Sequence, residues 1–158
     1  MIQIEQLSKI YKTKQQQVYG SNDISLQFED TGMIFILGKS GSGKKTLLNL
    51  IAGLDQQDSG SIHIDGTCVS EYEEKQWDEL RKRDIGVIFQ DYNLFEERTV
   101  YENLALRVSG YMEERIPLHI EHILHYLGLD EYKERKINQL SGGEKLRIQS
   151  TSSRYQWI

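Results

Sequence analysis

The sequence predicts an α/β fold built around a backbone phosphate cradle, and three adjacent features carry that prediction. Met33 to Leu37 is an uninterrupted apolar run, the pattern of a strand covered on both faces inside a sheet. A glycine-rich loop follows directly. Leu47, Leu50, Ile51 and Leu54 then recur at i, i+3, i+4 and i+7, one apolar face of a helix. Strand, glycine loop and helix in that order are the setting in which a chain wraps its backbone around an anion.

The remaining elements follow in chain order. Ile2 to Glu5 and Ile24 to Phe28 alternate apolar and polar residues, which predicts half-buried strands in an N-terminal antiparallel β part. Gln15 to Gln17 and Gly20 to Asp23 read as turns between them. Ser59-Gly60 and Asp65-Gly66 flank Ser61 to Ile64, a short strand entering a tight turn. Residues 71–83 are highly charged, with acids first and Arg81, Lys82 and Arg83 last, the order a helix dipole favours. Ile85 to Phe89 reads as a second buried strand. Thr99 to Ser109 and Arg115 to Leu127 read as helices, the latter with Ile116, Ile120, Ile123, Leu124 and Leu127 on one face. Leu140 to Glu144 opens another helix, and Ser150 to Ser153 breaks its pattern. Neither an internal repeat nor an interdomain linker is visible.

Composition narrows the function classes. The 158 residues carry 19 Lys+Arg against 24 Asp+Glu, and a net charge of −5 argues against nucleic acid as the main partner. The longest apolar run has five residues (Met33 to Leu37), far short of a membrane span. Met1 leads straight into Ile2-Gln3-Ile4-Glu5, without the pattern of a secretory signal. One cysteine, Cys68, excludes an internal disulfide. A cytoplasmic domain is the expectation.

The loop itself is Gly38, Lys39, Ser40, Gly41, Ser42, Gly43 and Lys44. Its glycines let the backbone aim successive N–H groups at an anion, and the helix N-terminus behind it adds about half a positive charge. Lys44 would reach the β- and γ-phosphates. One position departs from the phosphate-loop pattern, which calls for Ser or Thr after this lysine as a ligand of Mg²⁺. Here Lys45 stands there, and an ammonium cannot ligate a cation. Thr46 lies a further ~100° around the helix and is a poor substitute. Metal-dependent chemistry is therefore expected to be impaired.

With these residues in view, the chain resembles the nucleotide-binding domain of an ABC transporter, a P-loop NTPase, over residues 1 to about 148. Leu7-Ser8-Lys9-Ile10-Tyr11 resembles the segment whose aromatic residue stacks on adenine, which implies that role for Tyr11. Gly38 to Thr46 matches the phosphate loop except at Lys45. Ile88-Phe89-Gln90 resembles the end of the strand whose glutamine senses metal and attacking water, implying a catalytic and metal-facing role for Gln90. Leu140-Ser141-Gly142-Gly143-Glu144 matches the signature motif, which in the family caps ATP held by a second nucleotide-binding domain. Ser141 with Glu144 is also a capping-box pattern in its own right. The resemblance implies ATP and Mg²⁺ as ligands, a dimer of such domains and a helical subdomain over about 91–147.

Finer strings point to a branch of the family. Ala52-Gly53-Leu54-Asp55, Ser59-Gly60, Gln90 to Leu94 and Thr99 to Asn103 resemble cassettes that pair with FtsX-like permeases, which export or extract lipoproteins, antimicrobial peptides and macrolides. That resemblance implies export, and a place at the inner face of the plasma membrane. Residues 91–97 would lie where the permease inserts its coupling helix; Tyr92, Leu94 and Phe95 suit that contact or a buried subdomain interface equally. The family's next elements are a strand ending in Asp-Glu, a D-loop and a switch histidine, and none of them matches here. Residues 149–158 read as a divergent tail, a frameshift scar or a truncation. Hydrolysis is accordingly expected at background rate, and a non-hydrolysing regulatory partner or an inactive fragment are the alternative readings. His119, His122 and His125 are spaced so that the first and third point about 240° apart on a helix, which suits a solvated face better than a metal site.

Overall fold

The computed structural model describes residues 1–14, 16–107 and 115–152, which fall into two compact units, Met1–Arg81 and Lys82–Ile158.

In the first unit an antiparallel sheet has the order β2-β1-β3-β4, with β1 Ile2–Lys12, β2 Gln17–Phe28, β3 Ser59–Ile64 and β4 Thr67–Cys68. Ile2 faces Phe28 and Ile4 faces Leu26 across β1 and β2, while Ile2 faces Ile64 and Ile4 faces Ile62 on the other side. The period-2 pattern buries Ile4 and Ile62 almost completely, and the irregularity between Ile4 and Leu7, with Gln6 at φ +49°, lets Leu7 be buried as well. Each such side chain contributes roughly 1.5–3 kcal/mol relative to exposure.

Both long strands exceed the expected lengths. β1 continues to Lys12, and the turn is closed by Thr13 N–H donating to the Gln16 carbonyl at 2.9 Å. Gly20 to Asp23 is strand rather than turn. It is accommodated by register shifts between Ile4 and Ile10 of β1 and by a left-handed Asp23 (φ +50°). The Asp65-Gly66 pair makes the expected tight hairpin turn, with φ of +49° and +77°.

Helix α1, Lys44–Ile51, buries Leu47 and Leu50 and contacts β2. Helix α2, Glu74–Asp84, starts three residues later than expected and buries Trp77 and Leu80. Trp77 meets Tyr72 edge-on at 6.0 Å.

The Met33 to Leu37 strand is not formed. The segment has no ladder partner among the described residues, and Met33, Phe35 and Leu37 are 80%, 74% and 87% exposed. Ile85 to Phe89 likewise has no ladder partner among the described residues, with Ile88 exposed. The physical reason is shared: an apolar run becomes a central strand only when neighbouring strands satisfy its backbone, and the described strands pair elsewhere.

The second unit is helical: α3 Val100–Arg107, α4 Ile116–Leu127 and α5 Gly142–Ser152. Val100, Leu104, Ile120, Ile123, Leu124, Leu129, Ile137, Leu140 and Ile148 form one buried cluster. Thr99 and Glu102 cap α3 reciprocally, Thr99 N–H to Glu102 Oε2 at 2.8 Å and Glu102 N–H to Thr99 Oγ1 at 3.1 Å. Pro117 in the first turn and left-handed Gly128 at the end delimit α4. The break expected from Ser150 does not occur, since its hydroxyl donates to the Arg147 carbonyl at 2.9 Å and the helix runs on to Ser152. Gln15 of the expected first turn, Val108 and Ser109 of the expected helix, and the end of the tail, residues 153–158, lie outside the described residues.

Candidate functional site

The phosphate loop in the first unit has the backbone its glycines predict. Gly41 and Gly43 take left-handed φ of +78° and +84°, and Gly43 is the N-cap of α1. A Cβ on Gly43 would overlap the Gly20 carbonyl, so this glycine is required by space as well as by φ. Ser42 N–H donates to the Lys39 carbonyl at 3.2 Å, and Leu47 N–H to the Gly43 carbonyl at 2.9 Å as the helix begins.

Lys44 folds onto its own loop. Its ammonium donates to the carbonyls of Gly38 at 2.8 Å and Lys39 at 2.7 Å and to Ser42 Oγ at 3.2 Å. The cation is thereby held against the loop's own oxygens. Lys39, Ser40 and Lys45 are exposed around it.

Tyr11 comes to the same place from β1. Its ring lies against Gly20 and Thr46, so that a Cβ on Gly20 would collide with both side chains. The Tyr11 hydroxyl donates to Asp55 Oδ2 at 2.6 Å, and Lys9 pairs with Asp55 Oδ1 at 2.9 Å. Partial burial raises the Tyr11 phenol above its usual value; the Asp55 carboxylate adds to this, while the Thr46 hydroxyl opposes it. Burial also pushes the Asp55 carboxyl up, but hydrogen bonds from Tyr11, Lys9 and the Gln56 N–H outweigh that and hold it below the usual aspartate value. The carboxylate raises Lys9 in turn. Sequence reasoning missed Asp55 and Gly20. A contact between residues 44 positions apart leaves no local signal.

Mg²⁺ does not fit this loop. The first-turn hydroxyl position carries Lys45, the loop has no carboxylate, Ser42 Oγ accepts from Lys44, and Thr46 is engaged with Tyr11. Among the described residues no cluster of His, Cys, Asp and Glu is arranged to hold a metal ion.

The signature residues lie in the second unit. Ser141 N–H donates to Glu144 Oε2 at 2.7 Å, the Ser141 hydroxyl donates to the same oxygen at 2.8 Å, and Glu144 N–H returns to Ser141 Oγ at 3.4 Å. The Ser141 N–H and hydroxyl hold the Glu144 carboxyl below the usual carboxylate range. Ser141, Gly142 and Gly143 are all exposed at the start of α5, with open space beside Gly143 and the Tyr92 hydroxyl close to Gly142. Gln90 is exposed in a turn of this unit. Just beyond it, Tyr92 and Asn93 take left-handed φ of +52° and +48°. Phe95 is exposed and lies under the Arg98 guanidinium, whereas Leu94 packs on the helical core. Asn103, the last residue of the Thr99 to Asn103 string, is buried and ties the Phe95 backbone and the Thr99 carbonyl together through three hydrogen bonds. His122 and His125 are exposed on α4, and His125 Nδ1 lies 3.2 Å from Asp130.

Comparison with known proteins places this geometry. The profile of the family described as ABC transporter matches residues 21–150. The chain is 37% identical over 150 residues to the methionine import ATP-binding protein MetN 3 of Oceanobacillus iheyensis, covering 94% of this chain and 44% of that protein. It is 39% identical to MetN of Bordetella pertussis, covering 94% and 41%. The chain thus spans less than half the length of these curated relatives. Among solved structures, the ATP-binding cassette MJ0796, determined as a dimer bound to ADP and Pi, superposes with a TM-score of 0.83 at 28% identity, covering 97% of this chain and 68% of that one. The cbiO1 subunit of Clostridium perfringens gives 0.76 at 25% identity, with 98% and 61% coverage. No described helix is long and apolar enough to cross a membrane.

Proposed function

The chain belongs to the ABC transporter family, and from that premise we propose that it is a peripheral ATP-binding subunit that works with a membrane permease and a second nucleotide-binding domain. One observation carries the reading. Gly41 and Gly43 shape a loop whose lysine, Lys44, is held against the loop carbonyls at the first position of a helix. In this reading residues 38–46 hold the phosphates through backbone amides and Lys44, and Tyr11 carries the adenine on the ring that Asp55 positions. Ser141, Gly142 and Gly143 offer exposed amides at a second helix start to the nucleotide of a partner cassette. Bound ATP would supply the free energy of its phosphoanhydride bond, and the residues named here bind and orient it.

The direction of transport divides two finer readings. The curated relatives are named for methionine import, whereas Ala52 to Asp55, Gln90 to Leu94 and Thr99 to Asn103 resemble the FtsX-partnered export branch. The relatives lend export no support, and the shared role of ATP-binding subunit is the one proposed. A second reading, a nucleotide-binding partner that does not hydrolyse, is favoured by Lys45 at the metal-ligating position.

Calorimetric titration with ATP tests the common core of both. The intact chain is expected to bind ATP, and Lys44→Ala to weaken binding by about tenfold or more, the weight of a charge-assisted contact. Equal affinity in the two proteins would remove the loop from the site. Phosphate release that vanishes in Lys44→Ala would favour the hydrolysing subunit over the silent partner.

A further inference from the structure

We propose that the loop takes its polyphosphate ligand as the free anion, without a divalent cation, and that Lys45 supplies the positive charge a cation would bring. The proposal rests on the nucleotide-binding reading above and concerns the form in which the ligand is recognised.

Three observations carry it. First, the loop offers a cation little: no carboxylate, a Ser42 oxygen that already accepts from Lys44, and a Thr46 hydroxyl turned toward Tyr11. Second, the loop is rich in positive charge. Lys39, Lys44 and Lys45 stand within seven consecutive residues, and Lys44 bonds to the loop's own oxygens at Gly38, Lys39 and Ser42. Third, Lys45 and Thr46 are separated by about 100° on the first turn of α1. Thr46 is half-buried against Tyr11 and Gly20, and Lys45 is exposed.

A triphosphate entering this loop meets the amides of α1, whose N-terminal charge is positive, and two neighbouring ammonium groups. It needs no metal to offset its charge. A metal-complexed triphosphate is less negative and carries a cation toward Lys45, so it is bound less well. The ligand class is thus a metal-free nucleoside triphosphate.

The test titrates the full chain with ATP in EDTA and in excess Mg²⁺. Wild type is expected to bind more tightly in EDTA, by roughly fivefold, the weight of one unit repulsion across about 4 Å in water-like surroundings. Lys45→Ser restores a hydroxyl ligand and is expected to reverse the preference. Lys45→Ala is expected to lose affinity in EDTA and, with the repulsion removed, to lose most of the preference between the two buffers. Lys45 is exposed, so neither variant disturbs the core. Tighter wild-type binding in Mg²⁺, or an unchanged preference in Lys45→Ser, overturns the proposal and leaves the nucleotide reading standing. Binding of ATP in neither buffer overturns both.

Discussion

The helical unit carries its apolar residues as stripes and the segment Met33 to Leu37 carries them as an unbroken run, yet the stripes are buried and the run is left in water. In the helical unit, the stripes of α3, α4 and α5 meet one another and the turns at Leu129, Ile137 and Leu140. Three helices with satisfied backbones can do this because each makes its own hydrogen bonds. A strand cannot. Phe35 and Leu37 are 74% and 87% exposed because the ladder that would flank their segment is not among the described strands. Hydrophobic pattern states what environment a segment suits, and only its neighbours provide it.

This contrast can be broken by a pair of truncations read by urea unfolding. Leu124→Ala, in the buried cluster, is expected to cost about 2–5 kcal/mol. Phe35→Ala is expected to stay within about 0.5 kcal/mol, as exposed substitutions do. A comparable loss from Phe35→Ala would show that the segment is buried in solution and would erase the distinction.

A smaller effect sharpens the contrast within the first unit, where polar contacts rather than a strand fasten β1 to the end of α1. Asp55 has a depressed folded-state pKa, so its contribution is present above the unfolded value near pH 4 and is lost as pH falls through the folded value. Stability of the wild type is therefore expected to fall on acidification below about pH 4, and Asp55→Asn to fall less steeply over that window. Parallel pH curves for the two proteins would show that the Tyr11–Asp55–Lys9 cluster contributes nothing.

Much of the site was legible because it is local. The backbone of the glycine loop, the Ser141–Glu144 cap and the Asp65-Gly66 turn each depend on residues within a few positions of one another, and each takes the conformation its spacing indicates. What was not legible depends on distance. The length of β1, the passage of β2 through Gly20 to Asp23, the Tyr11–Asp55 bond and the crowding of Gly43 by Gly20 all arise from cross-strand register. Ser150 illustrates a third case, in which a residue that disfavours helices is tolerated because its hydroxyl finds a carbonyl one turn back. Strings such as Ala52 to Asp55 suggest a branch of the family only by resemblance.

Amide hydrogen exchange with and without ATP reads both regions at once. Slow exchange is expected in α4 and α5 under both conditions, with protection of the amides from Ser40 to Thr46 that develops only when ATP is present. Loop amides that exchange at the same rate with and without ATP would contradict this expectation.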